Sequence, residues 1–532
     1  MALRIPSHWC AMGAMALAAG LALPPAALGD ALAPGTDLSA TALPEGRALT
    51  LAAPPGSYVA GEFMPSGSEL VLRLHSGDQA LRELSRARNG SQNFHFITPE
   101  AATLRISGPA GAAFALRLTS VIPPAAQTTP AATEALLSPA LQALQASLAR
   151  GGDTSAFWAA RAAQGTPMIE DLQGQSLVTF LYRGAARNVR LFGGPSADHD
   201  WLARLGQSDV WFRSYILPAD TRLSYRLAPD IPDIPGSARA RRVAILATAA
   251  ADPLNPQRWP ETAPDASTRW SVLELPGAPP QPGFPAADVG VEELQITSAL
   301  LGNTRRLQLY RSPGHNPADP RALLLFVFDG PRAVAEMQIP GALDNLVKAG
   351  RLPPLAAVFI DAIDSETRSR ELPGNPLFAR FMAEELLPFT ASQLQLAPDP
   401  ARTVVAGASF GGIGATHTAL ARPDLFGAAI SLSGSYWWSP EGAPETALGW
   451  MAEQVLAAPR LPRIFLTAGR FETGREGPEG TGADIRETTR QLHAALRGRG
   501  AETWFRLYSS GHDSLAWRGA LTDGLLQLYG QN

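Results

Sequence analysis

The stretch Thr403-Val-Val-Ala-Gly-Ala-Ser409-Phe-Gly-Gly-Ile413 decides how the C-terminal half of this 532-residue chain is interpreted. It starts as an apolar run with two valines, which favours a buried strand, and continues into a segment compatible with a helix. Between these parts, Gly407 and Gly411 flank Ser409 in the pattern Gly-x-Ser-x-Gly. The pattern predicts a sharp strand-to-helix turn that presents the serine hydroxyl as a nucleophile.

Strand-like and helical segments alternate on both sides of this turn. Helical stretches separate four buried-strand runs, at Leu323–Val327, Ala356–Ile360, Thr403–Ala406 and Arg463–Thr467. Such alternation is typical of parallel βαβ units, in which functional groups gather at the carboxyl ends of the strands. We therefore predict an α/β-hydrolase catalytic domain over residues 286–532, with a mostly parallel sheet and flanking helices.

A serine nucleophile needs a base, which is usually a histidine, and three histidines follow Ser409 in the chain. His417 falls about two turns into the predicted elbow helix and points away from the hydroxyl. His493 lies in an amphipathic helical segment and is expected at the surface. His512 follows the last predicted strand, which is where an α/β-hydrolase carries its base, so His512 is the predicted base.

The third member of such a triad is a carboxylate that orients the histidine. In α/β-hydrolases it precedes the histidine in the chain. Glu472 fits, because it comes shortly after the predicted strand at Arg463–Thr467. Asp484 and Asp513 are alternatives, and a Ser-His pair without an acid is a further one.

An oxyanion hole requires amide N–H groups that point at the developing negative charge. The first is predicted at Phe410, directly after the nucleophile, and the second in the loop that follows Phe328. Pro331 in that loop has no amide hydrogen. Gly330 is therefore the predicted second donor, and Arg332 is the alternative.

The sequence before the catalytic domain predicts β-sandwich domains joined by helices. Short apolar runs alternate with Gly, Pro, Ser and Asn over 36–124, which predicts a small β-sandwich module. Helical periodicity predicts a linker over 125–175, with four leucines available for one face (Leu137, Leu141, Leu144 and Leu148). Strands return over 176–285 and predict a second β-sandwich domain. The role of 36–124 is open between a binding module and a stabilising one.

Composition and the N-terminus restrict the class of protein. A net charge of −4 over the chain argues against a nucleic-acid partner. A signal peptide over 1–30 is predicted from Arg4, the apolar run 11–23 and the small residues before position 30. A membrane anchor is the alternative. The only cysteine, Cys10, lies in this segment, so the mature chain would have no disulfide and no cysteine-bound zinc. We expect an exported, periplasmic protein without a membrane span after signal removal.

Several sequence blocks, in one order, resemble the enterochelin (enterobactin) esterase family. Ala251-Asp-Pro-Leu-Asn-Pro-Gln257 is similar to that family's junction between its N-terminal and catalytic domains. The further blocks are Phe328-Asp-Gly330, Ile360-Asp-Ala-Ile-Asp364, Gly407-Ala-Ser-Phe-Gly-Gly412, Ser433-Gly-Ser-Tyr-Trp-Trp438 and Gly511-His-Asp513. The resemblance extends from about residue 177 to the C-terminus, so the module at 36–124 lies outside it.

The resemblance implies a serine esterase that hydrolyses the ester bonds of a catecholate siderophore trilactone such as enterobactin, in its apo or iron-loaded form. It implies Ser409 as nucleophile, His512 as base and Glu472 as acid, acting through an acyl-enzyme without a cofactor or metal ion. A ferric tris-catecholate is large, aromatic and anionic, so its site should offer cations and aromatic faces. The candidate substrate contacts are Arg368, Trp437, Trp438 and Arg518.

Alternatives remain at two levels. For the substrate contacts, the tryptophans could belong to the core, and Arg368 could form a structural ion pair with Glu371. For the function, the first alternative is a general secreted carboxylesterase or acyltransferase of the esterase D group. The second is a non-catalytic siderophore-binding protein on the same fold, and the presence of all three triad residues argues against it.

Overall fold

The computed structural model describes residues 31–33, 35, 37–127, 132–196, 199–232, 234, 238–444, 446, 448–474 and 484–531. The predicted signal peptide at 1–30 lies outside these residues. In the described ranges, no helix combines the length and the apolar character that crossing a membrane requires.

Two small sheets enclose a separate core in the first part of the chain. Their strands are β1 (Ala31–Leu32), β2 (Asp37–Thr41), β3 (Arg47–Leu51), β4 (Tyr58–Ser66), β5 (Leu70–Ser76), β6 (Gln79–Ala87), β7 (Gln92–Ile97), β8 (Ala102–Ser107) and β9 (Ala113–Ile122). One sheet has the order β1-β3-β8-β5-β6 and the other β2-β9-β4-β7. Side chains alternate between core and surface along β9, as expected for a strand with one buried face. This is the predicted β-sandwich, hereafter the first sandwich.

Two helices follow, α1 (Pro139–Leu148) and α2 (Ser155–Gln164). The hydroxyl of Ser138 accepts a hydrogen bond from the Leu141 amide at 3.1 Å, so Ser138 caps α1. Leu141 and Leu144 are buried on the predicted face. Leu137 lies before the helix begins and is exposed, so it does not join that face.

A second pair of sheets contains the next eight strands, and we call it the second sandwich. The strands are β10 (Met168–Leu172), β11 (Gln175–Arg183), β12 (Val189–Gly193), β13 (Ala203–Arg204), β14 (Val210–Leu217), β15 (Arg222–Pro229), β16 (Arg258–Trp259) and β17 (Trp270–Glu274), with helix α3 (Ala238–Val243) between β15 and β16. The sheet orders are β10-β11-β14-β13 and β12-β15-β17-β16. Because β10 pairs with β11, the second sandwich begins before residue 176, inside the range predicted as linker.

An eight-stranded sheet dominates the C-terminal part of the chain. Its strands are β18 (Glu292–Ser298), β19 (Asn303–Arg311), β20 (Leu323–Phe328), β21 (Leu355–Ile360), β22 (Thr403–Ala408), β23 (Ala428–Leu432), β24 (Arg463–Gly469) and β25 (Thr503–Tyr508). The order is β18-β19-β21-β20-β22-β23-β24-β25, and all pairs from β21 onward are parallel. Every residue of β20 is buried, as expected for a strand covered on both faces.

Helices cover both faces of this sheet and separate two apolar cores. They are α4 (Gly330–Ala335), α5 (Ile339–Lys348), α6 (Ser365–Glu371), α7 (Pro376–Arg380), the π-helical turn Phe381–Leu386, α8 (Leu387–Leu394), α9 (Phe410–Ala421), α10 (Trp450–Ala457), α11 (Ile485–Gly498) and α12 (Ser514–Tyr529). The mostly parallel sheet with flanking helices is the predicted α/β-hydrolase fold.

The second sandwich docks at the carboxyl ends of the last strands of this sheet. The Arg222 amide donates to the Ser509 carbonyl at 3.1 Å, directly after β25. The Ser224 amide donates to the carboxylate of Asp513 at 3.2 Å. Since active groups of α/β folds gather at these strand ends, the second sandwich reaches the place where the site is expected.

Candidate active site

Strand β22 and helix α9 meet at Ser409 in a sharp turn. Ser409 has φ 58° and ψ −119°, a conformation that residues other than glycine rarely adopt. Its amide donates to the Leu432 carbonyl at 2.9 Å and ties the turn to β23. A methyl group at Gly407 would lie 2.5 Å from the Gly411 carbonyl oxygen, so the close approach of strand and helix requires glycine. This backbone geometry is that of a nucleophile elbow.

Two loops at the carboxyl ends of β24 and β25 bring Glu472 and His512 together. One carboxylate oxygen of Glu472 lies 2.5 Å from Nδ1 of His512. The other accepts the Gly469 amide at 2.6 Å, and the carboxylate is buried. A carboxylate held in this way fixes the orientation of the imidazole ring and leaves Nε2 available for proton transfer.

Asp484 and Asp513, the alternative acids, have other partners. Asp484 caps α11 by accepting the Glu487 amide at 2.9 Å. Asp513 caps α12 by accepting the Ala516 amide at 3.0 Å. Burial raises the pKa of Asp513 to about 6. Among these three carboxylates, Glu472 is therefore the one that contacts His512.

Ser409 and His512 line the same cavity of about 460 Å³. His417 and His493 lie elsewhere, on α9 and α11. The catalytic domain also contributes Arg332, Glu336, Arg368, Asp513, Ser514 and Trp517. The second sandwich contributes Ser224, Arg226, Trp259 and Trp270, a group that sequence reasoning missed. No local pattern in the chain indicates it, because docking of the two domains creates this wall.

Arg226 is the cation that the second sandwich adds to the cavity. Its guanidinium lies 4.0 Å from the centre of the Trp270 ring, in a cation–π arrangement. It also donates to the carbonyls of Thr268 and Arg269 at 2.9 Å each. Burial lowers the pKa of Arg226 to about 10, so the side chain remains charged at neutral pH. The Arg226 guanidinium is therefore a positively charged group fixed in position beside the Trp270 ring.

The predicted oxyanion donors lie at the starts of two helices, Phe410 at α9 and Gly330 at α4. The first amides of a helix have no acceptor within the helix and are free to bind an anion. The Arg332 amide, the alternative donor, is used internally and donates to the Asp329 carbonyl at 3.0 Å. A methyl group at Gly330 would lie 2.5 Å from the Phe359 carbonyl carbon, so this position requires glycine.

Arg368 lines the cavity, but its guanidinium is already paired. Both oxygens of the Asp329 carboxylate accept hydrogen bonds from it at 2.7 Å. It also donates to the Ala408 carbonyl at 3.3 Å, next to the nucleophile. The alternative pair with Glu371 is wrong, because Glu371 pairs with the buried Arg305 at 2.6 Å.

The other three predicted substrate contacts are not among the described residues that line this cavity. Trp437 is 44% exposed. Trp438 packs edge-on against Trp450, with ring centres 5.6 Å apart. Arg518 donates to the side-chain oxygen of Gln281 at 2.7 Å. Trp437 nevertheless lies near the elbow, because its ring centre is 6.1 Å from that of Phe410, the residue after Ser409.

Ser435 is a neighbour of the nucleophile that sequence reasoning did not single out. Its hydroxyl lies 3.4 Å from the Ser409 hydroxyl, and its amide donates to the Ser409 carbonyl at 3.1 Å. The side chain is buried. The Ser433–Trp438 block resembles the family and contains Ser435, but its sequence alone does not indicate which of its residues contacts the elbow.

Comparison with known proteins assigns the chain to a family. The iron(III) enterobactin esterase of Dickeya dadantii is 34% identical over 417 residues, which cover 69% of this chain and 91% of that protein. The chain belongs to the enterobactin esterase family. The iron(III) salmochelin esterase of Escherichia coli is 30% identical over 419 residues, covering 74% of this chain and 98% of that protein. The enterobactin esterase of Shigella flexneri, crystallised in the presence of enterobactin, superposes with a TM-score of 0.57 at 32% identity, covering 70% of this chain and 97% of that one.

The family models match two separate parts of the chain. The esterase model matches residues 298–528, and the enterochelin esterase N-terminal model matches residues 177–284. The resemblance seen in the sequence blocks is thus confirmed, and this member of the enterobactin esterase family is a serine-type esterase. The first sandwich lies outside both matched ranges.

Proposed function

We propose that this esterase hydrolyses the ester bonds of a catecholate siderophore trilactone, such as enterobactin, through a Ser-His-Glu triad. One observation carries the proposal: the elbow serine and a carboxylate-bound histidine share a cavity that is walled by arginines and tryptophans. Relatives that are about one-third identical are named as enterobactin esterases, and a further relative is named as a salmochelin esterase.

In the proposed mechanism, Ser409 attacks an ester carbonyl of the trilactone. Nε2 of His512 accepts the hydroxyl proton as the new C–O bond forms, and Glu472 stabilises the resulting imidazolium through Nδ1. Collapse of the tetrahedral intermediate breaks the original ester bond. His512 returns the proton to the leaving serine alcohol of the siderophore, and an acyl-enzyme remains.

Water completes the cycle. His512 accepts a proton from the water molecule that attacks the acyl-enzyme, and then gives it to the Ser409 oxygen as the acid product leaves. In both steps the oxyanion accepts hydrogen bonds from the Phe410 and Gly330 amides. Use of the Arg332 amide by the Asp329 carbonyl favours Gly330 as the second donor. The product of the first cleavage is the linear trimer.

The substrate is proposed to bind through charge and aromatic contact. A ferric tris-catecholate carries three negative charges, and the cavity wall contains Arg226, Arg332 and Arg368. Arg368 is paired with Asp329, so Arg226 and Arg332 carry most of the uncompensated positive charge. Glu336 opposes them in part. Tryptophan faces beside these cations suit the catechol rings.

We further propose that the chain acts outside the cytoplasm, in the periplasm. The support is the N-terminal sequence, in which a basic residue, an apolar run and small residues follow one another over positions 1–30. In this compartment the esterase would meet siderophores before the inner membrane is crossed.

Product analysis with a panel of esters tests the proposed substrate. Apo and ferric enterobactin, a glucosylated relative and 4-nitrophenyl butyrate are incubated with the purified protein, and products are identified by mass spectrometry. We expect linear trimer and smaller products from the trilactones, at kcat/KM values well above that of the aryl ester. A clear preference for the aryl ester would favour a general carboxylesterase, and binding without any product would favour a siderophore-binding protein.

A further inference from the structure

Strand β6 of the first sandwich touches the second sandwich beside the cavity. In β6, the Arg82 guanidinium donates to the carbonyls of Leu246 and Ala247 at 2.7 and 2.6 Å. The Glu83 amide donates to a carboxylate oxygen of Asp265 at 2.7 Å. Burial lowers the pKa of Arg82 to about 10, which agrees with a guanidinium that has left water for this contact.

Asp265 connects this contact to the cavity wall. Its second carboxylate oxygen accepts the amides of Ser267 and Thr268 at 2.9 and 3.0 Å and so fixes the turn. The carbonyls of Thr268 and Arg269, at the end of that turn, hold the Arg226 guanidinium over Trp270. A continuous series of hydrogen bonds therefore runs from β6 to the cavity arginine.

The turn between β6 and β7 approaches the catalytic domain on another side. Gly90 in this turn has φ +77°, and a methyl group there would lie 2.7 Å from Oδ2 and 2.9 Å from Cβ of Asp364. Asp364 caps α6 by accepting the Thr367 amide at 2.7 Å. Helix α6 carries Arg368, which lines the cavity next to the nucleophile.

We propose that strand β6 and the turn that follows it, which we call the β6 segment (residues 79–91), form a specificity element that positions Arg226 and the Asp329-paired Arg368 for a polyanionic substrate. Gly90 and Arg82 are positioning residues in this view and touch no substrate. The inference concerns anionic substrates in general and rests on the proposed function only for the identity of the siderophore. The β6 segment lies outside the residues that the family models match, so it would give this chain a property that those two domains do not supply alone.

The physical reason is preorganisation. Cations that are fixed before binding lose little conformational freedom when an anion arrives, whereas a mobile arginine must be ordered at that moment. A displaced Asp265 turn would release Arg226 without moving Ser409, His512 or Glu472, which belong to the catalytic domain. Loss of the contacts of the β6 segment should therefore raise KM for anionic esters and leave the chemical step intact.

Gly90→Ala and its matched control Gly77→Ala test this role. Both glycines lie in turns of the first sandwich at positive φ, and a methyl group at Gly77 meets no atom within 4 Å. The substrates are enterobactin, anionic 4-nitrophenyl hemisuccinate and neutral 4-nitrophenyl butyrate. For Gly90→Ala we expect KM for both anionic esters to rise on the order of threefold to tenfold, as for a weakened charge-assisted contact. The kcat for each ester and the KM for the butyrate should stay within about twofold of wild type, and Gly77→Ala should match wild type throughout.

Arg82→Gln supplies a second variant in case Gly90→Ala does not fold, and the same KM increase is expected. Unchanged KM values for the anionic esters in the folded variants would overturn the proposal. An equal rise in KM for the neutral ester would also overturn the proposal, because a general structural effect would weaken the binding of charged and neutral esters alike. A wild-type protein that is inactive on enterobactin would reject the siderophore substrate, while the hemisuccinate comparison would still decide the role of the β6 segment.

Discussion

Glu472 and His512 form the contact on which proton transfer depends in the proposed triad. The Glu472→Gln variant keeps the shape of the side chain, and with its oxygen accepting the Gly469 amide it turns an NH₂ donor toward Nδ1 of His512. Because the imidazole would then favour the wrong tautomer, we expect kcat to fall about 10²- to 10⁴-fold with little change in KM. The measurement is steady-state kinetics on 4-nitrophenyl butyrate. The Glu487→Gln variant, which alters a half-buried residue of α11, should retain wild-type kcat, and equal kcat values for both variants would contradict the role of Glu472.

Arg226 is the single residue best placed to test the electrostatics of the cavity. We expect Arg226→Met to raise KM for ferric enterobactin by about tenfold, which corresponds to about 1.4 kcal/mol of lost binding. The effect should shrink as salt is added, because charge attraction is screened. Arg222→Met is the matched control, four residues earlier on the same strand and outside this cavity. A KM that is unaffected in Arg226→Met would contradict the binding role.

The candidate triad could be predicted from sequence, because its members follow strands in a fixed chain order around one local motif. Arg226 could not be predicted in this way. Its strand gives no sign of function, and docking of the second sandwich brings it within the cavity that Ser409 lines. Arg368, the predicted substrate contact, lines the cavity. Its partner, Asp329, is set by the turn after β20 rather than by helix spacing.

At the scale of elements, Asp513 caps the N-terminus of α12, and its carboxyl group has a raised pKa. The folded chain keeps a proton on Asp513 up to about pH 6, whereas an unfolded aspartate loses it near pH 4. Because the folded state binds more protons between these values, its stability should fall as pH rises from about 4 to 6. The Asp513→Asn variant lacks this pH-dependent contribution to stability. Its Tm relative to wild type should therefore increase as pH rises over the same interval. A difference in Tm that is constant from pH 4 to 7 would contradict the assignment.

Strands with buried apolar runs were recognisable in the sequence, and β6 was not. Its sequence, Gln79-Ala-Leu-Arg-Glu-Leu-Ser-Arg-Ala87, lacks strict alternation and is rich in residues that favour helices. It forms an edge strand, and its conformation comes from pairing with β5. The β6 segment, which is proposed to set substrate specificity, was therefore hidden from sequence reasoning.

At the scale of the whole molecule, export would remove the only thiol of the chain. We expect protein isolated from the periplasm to lack approximately the first 30 residues by intact-mass measurement, as the signal-peptide criteria predict. It should also give no thiol signal, since Cys10 is the only cysteine. A Leu21→Arg variant, with a charge in the apolar run, should stay in the cytoplasm with one thiol. Recovery of the full-length wild-type chain from the cytoplasm alone would contradict export.

Hydrolysis of siderophore esters is proposed to depend on Ser409 as the nucleophile. The most direct measurement is the formation of linear trimer from enterobactin by the wild type and by Ser409→Ala, followed by mass spectrometry. We expect the variant to form no trimer while it still binds enterobactin, as shown by quenching of tryptophan fluorescence. Trimer formation by Ser409→Ala at the wild-type rate would contradict the role of Ser409 as the nucleophile.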